Sequence, residues 1–373
     1  LALALIRGFR FQTPTRVLVT TFTAQGRQIL EQGLTEDPPA PETRVVLDWF
    51  VFDLPDLMKN AVRAVNPKVM VLLETELWPG LLYHLKKNRT RIIIANARLS
   101  VRSARHYRGT RCLWHALSPD RILAVSGPDR ERYGTLFRNA RLETMPNIKF
   151  ETLAGQAGAL AGPLGCPVPE LKSPAHTLAI LASIRRQEEP LAVQLVQRLL
   201  GTCPSTVMAV FPRHMHRIRH WRRKLKKAGI NVVLRSEIRE LPGPGTVVLW
   251  DVFGQLKAAY GMARAVFVGA SLKPLGGQNF LEPAAAGAVT VIGPHFDDFA
   301  WVSEDIFSRK IVIRARDKEA VAQAIQAAVR RPFNRAERIR EFNAYVGRRC
   351  GGASQVCQAI MEEMAHAGPG SPA

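Results

Sequence analysis

The chain has 373 residues, of which 47% are hydrophobic and 22% are charged, so it is long enough for two ordinary domains that each bury a core. It carries 52 Lys and Arg against 31 Asp and Glu. The resulting net charge of +21 indicates an anionic partner or surface, such as nucleic acid, phospholipid or phosphorylated glycolipid. No run reaches the roughly 18 to 20 apolar residues that a membrane-spanning helix needs. The composition is that of a folded globular protein.

The cysteines are odd in number and include no CxxC pair, so the sequence predicts neither a disulfide framework nor a zinc site. A reducing compartment is the simplest location for such a chain. The five are Cys112, Cys166, Cys203, Cys350 and Cys357.

The first part of the chain alternates short apolar runs with helical patterns, which predicts an open, mostly parallel α/β sheet within residues 1–150. It opens at Leu1 with LALALIRGF, which reads as part of an amphipathic helix, and we expect the natural N-terminus and any anchor to lie upstream. The predicted strands are residues 16–22, 45–52, 69–73, 92–95 and 122–125.

Polar side chains follow two of these strands. Glu74 and Glu76 come directly after the third strand, and Asn96 and Arg98 follow the fourth. Ligands bind at the carboxyl ends of the strands in open α/β sheets, so these residues are site candidates. The two glutamates could equally begin a helix and offset its dipole.

Residues 151–174 are rich in Ala, Gly and Pro with little periodicity, which predicts a linker between domains. A second α/β domain is expected over residues 175–345, followed by a C-terminal helix and tail over 346–373. The predicted strands of this second series are residues 178–182, 207–211, 232–234, 246–249 and 265–268.

A Gly-rich turn follows the last of these strands and leads into a compact helix. Gly276 and Gly277 can let a backbone lie close to a ligand, and Asn279 to Glu282 would open the helix, where free N–H groups favour anionic oxygen. The Glu282 carboxylate could then accept hydrogen bonds from ribose hydroxyls. The alternative is a plain connection in which the glycines only turn the chain.

The segment from Arg213 to Lys227 holds eight Lys or Arg residues and no acid. It is either a nucleic-acid or membrane patch or, as basic helices usually are, a solvated face. Its first residue follows a strand directly, so the Arg213 guanidinium should project from the strand's carboxyl end, where it can pair with phosphate.

Histidines offer two metal-site hypotheses, neither of which the sequence favours. His214, His216 and His220 lack an accompanying carboxylate, and the group around His295 is interpreted as a loop. No GxSxG, Walker or HExxH motif is present, so the common hydrolase, NTPase and zincin mechanisms lack support.

Seven motifs, which occur in order over nearly the whole chain, resemble those of one family. In these motifs the chain resembles the 3-deoxy-D-manno-octulosonic acid (Kdo) transferases of lipopolysaccharide synthesis, glycosyltransferase family 30. The motifs are ETELWP (74–79), IANARLS (94–100), NIKF (147–150), FPRH (211–214), DVFGQL (251–256), GASLKPLGGQNFLEP (269–283) and GPH (293–295).

The resemblance implies a GT-B fold, with two Rossmann-like domains facing a central cleft and the N-terminal one binding the acceptor. It implies transfer of Kdo from CMP-Kdo to a lipid A precursor (lipid IVA) with inversion, without a cofactor or metal. The expected partners are CMP-Kdo, the lipid A precursor and an anionic membrane surface rather than nucleic acid. The expected location is the cytoplasmic face of the inner membrane, held by an N-terminal anchor.

The family's functional residues are carried over where its motifs match. Glu74 and Lys149 would stabilise the transition state. The general base, a Glu in a Ser-Val-Gly-Glu stretch, is expected upstream of Leu1, with Glu76 as the next choice within the chain. The CMP-binding residues would be Pro212, Arg213, Phe253, Gly254, Gln255, Asn279, Phe280, Leu281 and Glu282.

Three positions and one segment depart from the family pattern and bear on turnover and donor binding. Gln255 stands for Glu, Gly80 for Asn, Gln278 for His, and SIRRQ (183–187) for Ser-Thr-His-Glu-Gly. The alternatives are another GT-B enzyme such as a heptosyltransferase or a nucleotide-sugar epimerase, a nucleic-acid-binding protein that uses the +21 charge, and an inactive donor-binding relative.

Overall fold

The structure, a computed structural model, describes residues 1–159, 177–239, 242–243 and 245–366. It divides into two compact units. The first unit contains Leu1–Thr152 and the C-terminal segment that begins at Arg349, and the second unit is Leu153–Arg348.

The first unit contains the strands and helices expected of an α/β domain. Thr23, Ser100 and Ser126 each cap a helix by accepting a backbone N–H, and Pro55 and Pro79 occupy first turns, where no donor is lost. In chain order the elements are α1 Ala2–Gly8, β1 Thr15–Thr21, α2 Ala24–Glu36, β2 Thr43–Trp49, α3 Pro55–Val65, β3 Val69–Leu73, α4 Pro79–Lys87, β4 Arg91–Ala97, α5 Val101–Arg108, α6 Arg111–Ala116, β5 Arg121–Ala124, α7 Gly127–Leu136, β6 Arg141–Thr144 and α8 Lys149–Ala159.

The hydrogen-bonded sheet of the first unit is split, in contrast to the single sheet expected from the sequence. β1 pairs with β2, and a separate sheet has the order β3-β4-β5-β6, with all pairs parallel. The five predicted strands all exist. The short and mostly polar β6 was not predicted, because RLET lacks an apolar run.

The second unit is one continuous parallel sheet covered by helices. Asp317 and Asn334 cap two of those helices through their side chains. The elements are β7 Thr177–Ile184, α9 Glu189–Thr202, β8 Thr206–Pro212, α10 Ile218–Lys227, β9 Asn231–Leu234, β10 Thr246–Leu249, α11 Leu256–Met262, β11 Ala265–Val268, α12 Leu281–Ala285, β12 Val289–Ile292, α13 Asp305–Ser308, β13 Val312–Arg314, α14 Lys318–Arg330 and α15 Arg335–Gly347.

The sheet of the second unit has the order β13-β12-β11-β7-β8-β10-β9, so its first strand lies in the middle. Strands β7, β8, β10 and β11 are almost fully buried, as expected for apolar runs covered on both faces. One core cluster on these strands includes Trp221 of α10 and Ile325 of α14. The α/β class expected from the sequence is confirmed.

The last helix, α16 (Gly352–His366), belongs to the first unit. Val356 and Ile360 pack in a core with Leu5 and Ile6 of α1. Two glutamates hold its far end through hydrogen bonds: Arg121 Nη1 donates to Glu362 (2.6 Å) and Arg91 Nε donates to Glu363 (2.7 Å).

The stretch predicted as a linker is helical at its start. Residues 151–159 form most of α8, which begins at Lys149, and residues 160–174 lie outside the described part of the chain. Most helical stability in proteins comes from tertiary packing, which local composition does not reveal.

Candidate functional site

Glu74 lies immediately after β3 in an uncommon backbone conformation, with φ at +62°. Its N–H donates to the carbonyl oxygen of Ala95 (3.0 Å), and the Tyr133 hydroxyl donates to the Glu74 carbonyl (3.2 Å). These contacts hold the backbone of Glu74, and Lys149 Nζ donates to Glu74 Oε1 at 2.7 Å. Both side chains remain about 40% exposed, so the ion pair is accessible to a ligand. The structure therefore brings together the two residues predicted to be catalytic.

Two buried asparagines position Lys149. Asn96 Oδ1 accepts the N–H of Ile148 (3.0 Å), and Asn147 Oδ1 accepts the N–H of Lys149 itself (2.9 Å). Asn96 has φ at +52°, a conformation that asparagine tolerates better than most residues. The sequence predicted Asn96 as a site residue at the end of a strand, but its side chain is fully buried. Asn147 was quoted only as part of a motif.

Glu76 and Arg98, the other two site candidates that follow β3 and β4, take local structural roles. Glu76 accepts a hydrogen bond from Trp78 Nε1 (2.9 Å). The backbone carbonyl of Arg98 accepts from the Tyr133 hydroxyl (3.2 Å) and from the Thr75 hydroxyl. The ETELWP and NARLS segments are thus joined to each other through backbone and side-chain hydrogen bonds.

In the second unit, Arg213 stands at the carboxyl end of β8, as predicted. Pro212 is buried and pairs in register with Ile184 of β7, and the Arg213 N–H donates to the Ile184 carbonyl (2.9 Å). The guanidinium is exposed. The backbone of Arg213 is therefore fixed, while its guanidinium can reach an anion.

The loop at 253–255 contains one highly exposed residue and one that is held by a hydrogen bond. Phe253 is 86% exposed, and Gly254 has φ at +84°, which a side chain would disfavour. Gln255 accepts a hydrogen bond from Trp250 Nε1 (3.2 Å), and Trp250 stacks on Phe211 with ring centroids 4.4 Å apart. The residue that replaces the family's usual Glu thus helps to hold this loop.

The segment from Asn279 to Glu282 is divided between the core and the surface of the second unit. Phe280 and Leu281 are buried, so their side chains serve packing and only their backbone groups could meet a donor. Asn279 Nδ2 donates to Glu282 Oε1 (2.9 Å). Burial raises the pKa of Glu282, while nearby Lys257 and the hydrogen bond from Asn279 act in the opposite direction.

The double glycine before this segment is required by the loop itself. Gly276 and Gly277 have φ of +87° and +84°. A Cβ on Gly276 would collide with the Asp298 carboxylate, and one on Gly277 would come within 3.0 Å of the Phe296 Cα. Protein atoms therefore lie where a side chain at either position would have to be, so the loop requires glycine at both.

Sequence reasoning missed a buried carboxylate that shapes the loop after β11. Glu188 is only 1% exposed and accepts the N–H groups of Ser271 (2.9 Å), Leu272 (2.8 Å) and Ala270. A carboxylate that accepts several N–H bonds is well satisfied without a cation. The one signal in the sequence was the pair of acids that follows Gln187.

The histidines do not gather metal ligands. His220 Nε2 lies 3.3 Å from Glu189, which Arg217 and Lys224 also contact, and the rings of His214 and His216 stack on each other. Within the ranges that the structure describes, no cluster of three or more His, Cys, Asp or Glu could hold a metal ion. In the same ranges, no helix combines the length and the apolar character needed to span a bilayer.

Comparisons with known proteins agree with these motifs. Residues 1–152 match the family described as 3-deoxy-D-manno-octulosonic-acid transferase (kdotransferase). The 3-deoxy-D-manno-octulosonic acid transferase of Haemophilus influenzae is 29% identical over 331 residues, covering 86% of this chain and 73% of that protein. The enzyme of the same name from Bordetella pertussis is 27% identical over 324 residues, covering 84% and 73%.

A solved structure supports the fold alone. The α,α-trehalose-phosphate synthase (UDP-forming) of Burkholderia vietnamiensis superposes with a TM-score of 0.58 at 12% identity, covering 96% of this chain and 98% of that one. Together with the two transferases, these matches extend over both units. The fold is thus of the GT-B type, and over most of its length the chain is similar to the Kdo transferases.

Proposed function

We propose that this protein is an inverting glycosyltransferase that moves Kdo from CMP-Kdo to a lipid A precursor (lipid IVA) in lipopolysaccharide synthesis. The observation that carries the proposal is the accessible Glu74–Lys149 ion pair, held by the ETELWP, NARLS and NIKF motifs in a homologue of Kdo transferases. Such a transfer needs positive charge to stabilise a departing phosphate and a base for the acceptor hydroxyl. No cofactor or metal is part of this proposal.

The second unit supplies the donor site in this proposal. Arg213 offers an exposed guanidinium at a strand end, which suits a phosphate, and Glu282 offers a carboxylate that can accept ribose hydroxyls. Phe253, whose ring is exposed, can stack on the nucleobase of CMP. The backbone around Gly254 and Asn279 completes the proposed donor site.

Calorimetric titration with CMP tests the donor site. Arg213→Ala should abolish measurable binding because it removes the phosphate partner. Glu282→Ala should weaken it roughly 10-fold, the value of one hydrogen bond to a charged group. Arg219→Ala, which removes an exposed arginine from α10, is the matched control and should bind as the parent does. Unchanged affinity in both site variants, or equal binding of UDP and CMP, would refute the assignment.

Catalysis is proposed to use Lys149 as the charge that supports CMP departure and Glu74 as the group that holds Lys149. Lys149→Ala should therefore lower transfer of Kdo while leaving the affinity for CMP unchanged.

Glu76→Ala decides whether Glu76 is the base for the acceptor hydroxyl. Loss of a positioned base typically lowers the rate by ~10²- to 10⁴-fold, so a loss of that size with unchanged CMP affinity would make Glu76 the base, and retained transfer would exclude it.

The cytoplasmic face of the inner membrane is the proposed location, since the acceptor is a lipid and the net charge is +21. Anionic lipid attracts basic residues near its surface by about 1 kcal/mol each, and salt weakens the attraction. In vesicle sedimentation the protein should bind phosphatidylglycerol-containing vesicles at low salt and be released at 1 M NaCl. Equal binding to neutral vesicles would show that charge is not the cause.

A further inference from the structure

We propose that the start of α16 positions Lys149 for the reaction. Its positioning residues are Glu151, Gly352 and Gln355. The inference rests on the proposed function, because it concerns the lysine that is proposed to support CMP departure. It goes further by giving the C-terminal helix a part in the reaction, through contacts that join residues 200 to 211 positions apart in the chain.

Lys149 belongs to a short stretch, the Lys149 segment (residues 144–151), which runs from the last residue of β6 into the first turn of α8. Its Nζ donates to Glu74 Oε1 at 2.7 Å. Because a hydrogen bond is lost beyond about 3.5 Å, a shift of the segment by about 1 Å can break this contact. Misplacement by that distance can cost roughly 10²-fold in rate. The contacts that fix the segment therefore bear on the function of Lys149.

Glu151 joins the first turns of α8 and α16. Its Oε1 accepts the backbone N–H groups of Gly351 (2.9 Å) and Ala353 (3.0 Å) at the start of α16. The first N–H groups of a helix have no partner within the helix, and Gly351 has no side chain that could cap them. A carboxylate at this end also offsets the helix dipole. Glu151, which follows Lys149 closely in α8, thus provides the cap that Gly351 cannot.

Gly352 lets α16 begin directly against the main chain of the Lys149 segment. Gly352 is buried, and a Cβ at this position would collide with the carbonyl oxygen of Pro146 and lie 3.1 Å from Met145 Cε. A main-chain oxygen cannot move aside unless the segment moves with it. Any side chain at position 352 would therefore displace either the helix or the segment.

Gln355 and Val356 contact the part of the segment that precedes Lys149. Gln355 Nε2 donates to the Thr144 carbonyl oxygen at 3.1 Å. Val356 lies in the same buried core as Met145. The start of α16 thus contacts the segment both before and after Lys149, which fixes the position of its backbone along the chain.

Steady-state transfer of Kdo from CMP-Kdo to the lipid A precursor tests the proposal. Glu151→Ala, which removes the cap, and Gly352→Ala, which forces the helix and the segment apart, should each lower kcat by up to ~10²-fold. KM for CMP-Kdo and the stoichiometry of CMP binding should not change, because the proposed donor residues lie in the second unit. Glu151→Gln retains an accepting oxygen and should restore transfer. Gln358→Ala is the matched control, since the exposed Gln358 amide donates only within α16, to Glu362 (3.0 Å).

The reactivity of the Lys149 amine gives a second measurement that does not depend on transfer. An amine that donates to a carboxylate is less available to an acylating reagent than a free one. After brief treatment with acetic anhydride, mass spectrometry should show Lys149 acetylated several-fold faster in Glu151→Ala and Gly352→Ala than in the parent, as in Glu74→Gln. Glu151→Gln and Gln358→Ala should react as the parent does.

The outcomes separate this inference from the proposed function. Parent-like kcat and parent-like Lys149 reactivity in Glu151→Ala would overturn the positioning role, and so would a lower kcat with unchanged reactivity. If circular dichroism shows that Gly352→Ala does not fold, Glu151→Ala and its rescue by Glu151→Gln decide alone. Retained transfer in Lys149→Ala would instead refute the proposed role of Lys149 itself.

Discussion

At the scale of single residues, Glu282 is a carboxylate whose charge is opposed by burial. Desolvation raises its pKa, and only Lys257 and Asn279 counteract that effect. An acid with a raised pKa takes up its proton at a higher pH than an exposed glutamate would. Below that pH the side chain loses the charge with which it is proposed to accept the ribose hydroxyls.

We therefore expect the affinity for CMP to fall as the pH is lowered through the raised pKa of Glu282, by up to roughly 10-fold. The phosphate of CMP also titrates, near pH 6. Glu282→Gln is the matched control, because it retains the phosphate titration and lacks the carboxyl. Calorimetry between pH 5 and 8 should show a smaller pH dependence for Glu282→Gln than for the parent. Identical profiles would mean that Glu282 does not contact the ligand.

At the scale of elements, the basic helix α10 is tied to the second unit by an acid at the start of α9. Glu189 is 1% exposed and contacts Lys224 of α10 and Arg217 just before it. Burial alone would raise the pKa of Glu189, but the hydrogen bonds from Arg217 and Lys224 outweigh burial and lower it. One face of the basic segment is thus engaged within the fold, while its exposed arginines remain in solvent.

This depressed pKa has a consequence for stability. The carboxylate is more acidic in the folded state than in the unfolded state, so the stabilisation that it adds is present above about pH 4 and is lost as the pH falls through the folded pKa. In urea denaturation the free energy of unfolding should decline more steeply below pH 4 for the parent than for Glu189→Gln. Parallel declines would show that the contact adds no net stabilisation.

At the scale of the whole molecule, each unit has a core of its own, and the chain returns to the first unit at its end. The core beneath β4 and β5 depends on α16, since Val356 and Ile360 pack there and Arg121 binds Glu362. Two α/β units therefore do not correspond to two uninterrupted lengths of sequence. The chain leaves the second unit for the first between Arg348 and Arg349.

Much of the fold follows from local patterns. Apolar runs of four to eight residues between turn signals predicted β3, β10 and β11 at their observed bounds, because such runs must be buried on both faces of a parallel sheet. The same patterns placed Glu74 and Arg213 at strand ends. The motif resemblance then joined Glu74 to Lys149, 75 residues away, which no periodicity could have done.

Other features arose only from tertiary contacts. The burial of Asn96, the seating of α16 and the binding of Glu188 to N–H groups 82 to 84 residues away depend on which segments meet in space. The separation of the β1-β2 pair from the sheet that begins with β3 is of the same kind, since only the pairing shows which strands are neighbours. Sequence by itself determined the strands, their exposed ends and the resemblance to a family, because burial, turn formation and motifs are local. Tertiary structure decided which distant residues and strands contact each other, because a hydrogen bond between distant residues is set by the packing that brings them together.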